Sequence, residues 1–210
     1  MENNAVMEDI PIYYTTGNIS LSRVISGGQT GVDRAALDAA MDSGLEVGGW
    51  CPRGRKALDG VIPSRYPLTE TRGKSYQTRT KWNVRDSDAT LILCLGEPSG
   101  GTALTIKQCE KLGKPFYVHK LNSEYGTYVD GENSADVIYW MSCHDIQALN
   151  VAGPREGKYF PVYKQSYGFL SSLFRQLMGD DHNVYEPCAV YMIQPSIVCE
   201  LPVQQRMQVC

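Results

Sequence analysis

A chain of 210 residues, 42% hydrophobic and 20% charged, suits one globular domain with extensions and is long enough to bury a core without disulfide staples. Its net charge of −3 argues against a generic nucleic-acid surface, and no run approaches the roughly eighteen uncharged apolar residues of a membrane-spanning helix. Seven scattered cysteines without a C-x-x-C pair, with only His119, His144 and His182 as imidazoles, speak against a disulfide framework or structural zinc site and for reduced thiols in the cytoplasm.

Charge is unevenly spread. Between Arg53 and Arg85 lie nine basic residues and two acids, +7 in all, so the remainder carries −10. A basic block on an acidic protein reads as a focused anion site or as a solvated basic loop.

Residues 1–20 read as a polar N-terminal tail with a short edge strand at Ile10–Tyr14, and the acidic start lacks the apolar run of a signal peptide. The core opens at a strand over about 22–26. The small-residue turn Ser26-Gly-Gly-Gln-Thr-Gly31 follows, then a helix over about 31–43 with Val32, Ala36 and Ala40 on one face. Ser43-Gly44 ends that helix. A strand over Leu45–Trp50 leads into a long loop, and Ser75–Arg85 reads as a polar helix presenting Tyr76, Arg79, Thr80 and Asn83 on one face. Ala89–Leu95 is the most apolar run and suits a central strand buried on both faces. Gly96–Thr102 is a second glycine turn. A helix to Leu112, a strand at Phe116–His119, a polar excursion over 122–133 and a short helix over Asp136–Ile146 come next. Ala148–Ala152 is a last core strand, ending in a third small-residue turn, Gly153–Glu156. A helix over about 161–178 carries Tyr163, Tyr167, Leu170, Phe174 and Leu177 as a stripe expected to face the core. Residues 179–210 read as a C-terminal extension.

Strands alternating with helices predict an α/β domain over 21–178: a three-layer sandwich with a mainly parallel sheet of about five core strands. Ligands of such sheets bind beyond the carboxyl ends of the strands. That rule gathers the three turns and the basic loop on one rim, an expected site for a phosphate-bearing small molecule. The ligand-binding candidates are Gly27, Gly28, Gln29, Thr30, Gly31 and Arg34 from the first turn. Ser99, Gly100, Gly101, Thr102 and Thr105 come from the second, and Asn150 and Gly153 from the last strand and its turn. Arg79 and Asn83 join from the polar helix, and Trp50 is a ring that can stack on a base, as Tyr76 and Trp82 also can. Neither the P-loop nor the dinucleotide G-x-G-x-x-G spacing is present. For catalysis the candidates are Glu156 beside Arg155 as an acid/base pair, and Asp33. No nucleophile–histidine constellation and no metal site is indicated.

Six blocks in order resemble the putative molybdenum carrier family, a circularly permuted YpsA-like branch of the SLOG superfamily. They are Ile25–Asp38, Gly48–Gly54, Tyr66–Thr71, Trp82–Thr90, Ser99–Thr105 and Leu149–Glu156, within residues 22–178. The resemblance implies a Rossmann-like fold, homo-oligomerisation, and a nucleotide or nucleotide-derived ligand, the molybdenum cofactor among them. The wider superfamily includes phosphoribohydrolases with a Pro-Gly-Gly-x-Gly-Thr-x-x-Glu pattern. Gly101-Thr102 matches it, but Thr105 stands where the glutamate of N-glycosidic cleavage would be. Three readings follow: a ligand-binding protein, a hydrolase of an N-glycosidic or phosphate bond in a nucleotide derivative, or a partner-binding scaffold with a vestigial pocket.

Overall fold

In a computed structural model, residues 19–121, 134–157 and 162–179 are described. The expected edge strand at 10–14, the excursion at 122–133 and the extension beyond 179 lie outside them.

Five strands form one fully parallel sheet: β1 (Arg23–Ile25), β2 (Glu46–Gly48), β7 (Ala89–Cys94), β8 (Phe116–Lys120) and β9 (Ala148–Ala152), in the order β2-β1-β9-β7-β8. Val24 is in register with Val47 on one side and Leu149 on the other, and Leu91 with Val151 and Tyr117. The Ala89–Leu95 run thus lies inside the sheet, and all six residues of β7 are buried. Fully parallel strands need covered faces. On one face α1 (Val32–Asp42), α4 (Ser134–Ser142) and α5 (Val162–Met178) share a core with the sheet. Leu91, Leu93, Leu149 and Val151 point into it with Val32, Ala36, Phe169 and Leu173. Alternation sends Thr90 and Asn150 to the opposite face, where Asn150 Nδ2 donates to Thr90 Oγ1 at 3.1 Å. Helices α2 (Tyr76–Arg85) and α3 (Gly100–Leu112) pack together there, completing the three layers.

Between β2 and α2 the chain departs from the simple alternation. Trp50 is not an extension of β2: Trp50–Cys51 (β3) pairs with Thr69–Glu70 (β6) in a separate two-stranded sheet. Lys56–Ala57 (β4) and Gly60–Val61 (β5) form a small hairpin. Under this insert a second core of Leu37, Cys51, Ile62, Tyr66 and Leu68 docks it onto α1. Arg55, at a left-handed φ of 49°, donates to the carbonyls of Ile62, Pro63, Tyr66 and Leu68 and ties the loop to itself.

The α5 stripe is shifted from the expected one. Tyr163 is exposed and Tyr167 half-buried, while Val162, Phe169, Leu173 and Phe174 fill the core beside Leu170 and Leu177. The two phenols reach back to α1 instead, Tyr163 Oη donating to Asp38 at 2.8 Å and Tyr167 Oη to Asp42 at 2.7 Å. A hydroxyl beside a carboxylate gains more from that bond than from an apolar core that offers it no acceptor.

Candidate functional site

The parallel register brings the ends of β1, β7 and β9 to one edge, and with them the turns that follow. The first and third turns close on each other. Ser26 Oγ donates to Val151 O at 2.8 Å, the Glu156 N–H to Thr30 O at 3.3 Å, and the Val32 N–H, at the start of α1, to Pro154 O at 3.2 Å. Gly31 has φ +85°, and a Cβ there would stand 2.6 Å from both Glu156 N and Pro154 O. The positive end of α1 therefore faces a carbonyl of its own chain. Gly28 is likewise packed over the second core, where a Cβ would stand 3.1 Å from Ile62 Cδ1.

The polar side chains of the first turn face the insert. Gln29 Oε1 accepts the Thr30 N–H at 2.9 Å and the Leu58 N–H at 2.8 Å. Arg34 grips Asp59 through both terminal nitrogens, at 2.8 and 3.0 Å, and gives its Nε–H to Gly28 O. That fork helps hold the Asp59 carboxyl below its usual range. Asp33 Oδ2 pairs with Arg79 Nη1 at 2.6 Å and accepts the Gln29 N–H at 3.3 Å. The Arg79 guanidinium lies over Gly27, whose missing Cβ is what leaves room for it.

The second turn is different. Thr102 and Ala103 give their N–H groups to Ser99 O, while those of Gly100 and Gly101 find no acceptor among the described residues. No atom lies within 4 Å of a Cβ placed at either glycine. Buried Thr105 donates its hydroxyl to Gly101 O at 3.1 Å and holds the first turn of α3. An open helix N-terminus with bare backbone N–H groups is a cradle for an anion.

These parts enclose a cavity of about 820 Å³. Of the expected ligand contacts, Gly27, Gln29, Arg79, Asn83, Ser99, Gly100, Gly101, Thr102, Thr105, Asn150 and Gly153 line it, as do Asp33 and Arg155. Gly28, Thr30, Gly31, Arg34, Trp50 and Glu156 are outside its lining. Trp50 Nε1 donates to Asp86 at 2.6 Å and its ring meets Trp82 edge-on, centroids 4.7 Å apart. Glu156 accepts the Tyr163 N–H at 2.9 Å and so caps the start of α5. Ala57, Leu58, Tyr76, Thr80, Cys94 and Glu97 also line the cavity. Tyr76 and Thr80 sit on the α2 face that the helical spacing had marked; nothing in the sequence around Leu58 signalled its place. Burial raises the Cys94 thiol above its ordinary pKa, which keeps it protonated and a poor nucleophile.

Of the nine residues in the basic block, only Arg79 lines the cavity. The focused anion site expected from their sum is not built: Arg55 is spent on loop carbonyls, Arg65 on Asp38 and Arg85 on Asp86, because a guanidinium takes the nearest good acceptor wherever it lies. Among the described residues no three His, Cys, Asp or Glu side chains gather as metal ligands, and no helix is long and apolar enough to cross a membrane.

Residues 24–174 match the model of the circularly permutated YpsA SLOG family. The chain belongs to that family. It is also similar to a solved structure from Syntrophus aciditrophicus SB described as a putative molybdenum carrier protein, with 41% identity and a TM-score of 0.67, covering 74% of this chain and 96% of that one. No match to a functionally curated protein was found. As a family member it has the Rossmann-like domain expected from the six blocks, and both the closed first turn and the open second one lie within the matched residues.

Proposed function

We propose that this protein binds a nucleotide or nucleotide-derived ligand in the cavity at the carboxyl edge of the sheet, with a phosphate against the start of α3. The observation that carries this reading is the pair of bare N–H groups at Gly100 and Gly101, opening into a cavity within the usual range of small-molecule sites, about 300–1,000 Å³. Thr102 adds a hydroxyl, and Arg155, exposed at the rim without an ion pair among the described residues, adds a cation. The molybdenum carrier name of the structural relative brings the molybdenum cofactor into the ligand panel as cargo, since its phosphate would meet the same donors.

Thermal unfolding with AMP, ADP-ribose, NAD and molybdopterin tests the proposal. A ligand at about a hundred times its Kd adds about 2.7 kcal/mol, which raises Tm by about 5–10 °C in a protein this size. No shift with any phosphate-bearing compound at millimolar concentration refutes it. The hydrolytic alternative has less support: Glu156 caps α5, Asp33 is engaged by Arg79, and Thr105 holds Gly101. Cytoplasmic residence rests on seven scattered cysteines without a C-x-x-C pair, the pattern of reduced thiols, and is checked by fractionation. Homo-oligomerisation is checked by sedimentation equilibrium.

A further inference from the structure

Two polar side chains of the first turn and the helix after it brace the insert, and a third reaches α2. Gln29 holds the Leu58 N–H, Arg34 holds Asp59 bidentately, and Asp33 holds Arg79. Arg55 adds four bonds to loop carbonyls. This bonding fixes one small hairpin, whose flanks Ile62, Tyr66 and Leu68 are buried as an ordinary satellite core. The residue at its tip is not. Leu58 is 56% exposed and lines the cavity. A lone exposed leucine ordinarily means nothing, but this one sits on a backbone pinned on both sides, at Leu58 N and at Asp59. A second large exposed side chain, the ring of Tyr76 at 46%, lines the same cavity from α2. The Arg79 guanidinium carbon stands 5.8 Å from its centroid, so the cation that Asp33 fixes also steadies the ring. Of the three aromatic residues that the sequence offered for stacking, Tyr76 lines the cavity, while Trp50 and Trp82 meet each other. The cavity lining thus offers two chemistries: backbone N–H donors at Gly100 and Gly101, and an aliphatic and an aromatic side chain at Leu58 and Tyr76.

We propose that Leu58 and Tyr76 form a ring-binding subsite for a fused heteroaromatic ring of the purine or pterin kind, and that Gln29 and Arg34 are positioning residues that hold Leu58 in place. The subsite rests on the phosphate-ligand reading above and adds to it which part of the ligand is read and by which residues. An aliphatic side chain and a phenol ring offer flat apolar contact to any such ring, so the subsite selects for a ring rather than for one base.

Calorimetric titration of the full chain with AMP, GMP and a pterin phosphate, each against ribose 5-phosphate as the ringless probe, tests the assignment. The ring-bearing compounds are expected to bind at least about tenfold more tightly than ribose 5-phosphate. Tyr76→Ala should weaken them by about 5- to 150-fold, the equivalent of about 1–3 kcal/mol for one stacked ring, and leave ribose 5-phosphate unchanged. Asp59→Ala and Gln29→Ala should weaken the ring-bearing ligands in the wild-type background but not when Leu58→Ser is already present, a coupling that general destabilisation would not produce. Retained ribose 5-phosphate binding shows that each variant is folded. Equal affinity for ringless and ring-bearing ligands, or no change in Tyr76→Ala and Leu58→Ser, overturns the ring subsite and leaves the phosphate reading standing. No binding of either class overturns both.

Discussion

The Asp33–Arg79 pair links α1 to α2 in the cavity wall, and its removal has a magnitude that follows from burial. The Asp33 side chain is 6% exposed and that of Arg79 15%, so surface-pair values of about 0–1 kcal/mol do not apply. Arg79→Met leaves the Asp33 carboxylate with the Gln29 N–H at 3.3 Å as its remaining hydrogen bond among the described residues. Stranding a buried charge costs about 3–5 kcal/mol. Against this, the Arg79 Nε is itself buried without a hydrogen bond among the described residues, and deleting it recovers about 1 kcal/mol of desolvation. The net expectation is a loss of about 2–4 kcal/mol, or about 4–16 °C in Tm. Asp33→Asn should cost less, because the guanidinium can turn into the cavity water. The double variant Asp33→Asn/Arg79→Met should be more stable than Arg79→Met alone, since no charge is then left unpaired. Urea unfolding followed by tryptophan fluorescence and circular dichroism measures all three. A loss under about 1 kcal/mol for Arg79→Met, or strict additivity in the double variant, would refute the argument.

Three further outcomes are expected. Burial pulls His119, stacked on Phe169 with centroids 4.2 Å apart, down to about 4 from an ordinary value of 6.5; the stability that its neutral form contributes is complete above about pH 6.5 and drains as pH falls toward 4, by about 3 kcal/mol in all. His119→Phe should flatten that acid limb in denaturant midpoints taken against pH, and an unchanged limb would count against it. Burial above all raises the phenols of Tyr66 and Tyr163, with their hydrogen bonds to the Asp38 carboxylate adding to it; stability is therefore complete below about pH 10 and lost above it, and ultraviolet titration should show these phenols ionising late, together with unfolding, whereas early ionisation without unfolding would contradict the cluster. Gly31→Ala meets both the left-handed backbone, worth about 1–2 kcal/mol, and the Pro154–Glu156 backbone at 2.6–2.8 Å; a denaturation midpoint equal to wild type would show that the first and third turns are not packed together.

What could be read from the sequence was whatever repeats with a fixed period or stops a pattern outright. Ala89–Leu95 declared an interior strand because so apolar a run has nowhere else to go in a parallel sheet. Val32, Ala36 and Ala40 declared the buried face of α1. The α2 face of Tyr76, Arg79, Thr80 and Asn83 came out of the same arithmetic, and all four line the cavity. Periodicity fails where two faces of one helix are both apolar enough. On α5 it chose Tyr163, which is exposed, and Tyr167, which packs only against the rim of the core, and the carboxylates of Asp38 and Asp42, over 120 residues upstream, hold their hydroxyls there. Of the two readings open for the basic block, the focused anion site does not match the cavity lining, for a related reason. Summing charge over 33 residues says nothing about where each acceptor is, and Arg55 and Arg65 found theirs in loop carbonyls and on α1.

The first glycine turn shows how one signature can serve a purpose other than the one its composition announces. Small residues before a helix are read as room for a phosphate, and in the second turn they are room of that kind: nothing occupies the space beside Gly100 and Gly101. In the first turn each glycine is filled by protein. Arg79 lies over Gly27, Leu68 and Ile62 over Gly28, and the Pro154–Glu156 backbone over Gly31. Substituting any of them with alanine therefore acts on the fold, whereas a methyl at Gly101 acts on the open cradle. The two turns share a composition but differ in what their backbone N–H groups face, a carbonyl in one case and empty cavity in the other. On the function proposed above, that difference sends the ligand's charge to α3 and leaves α1 to hold the walls around it.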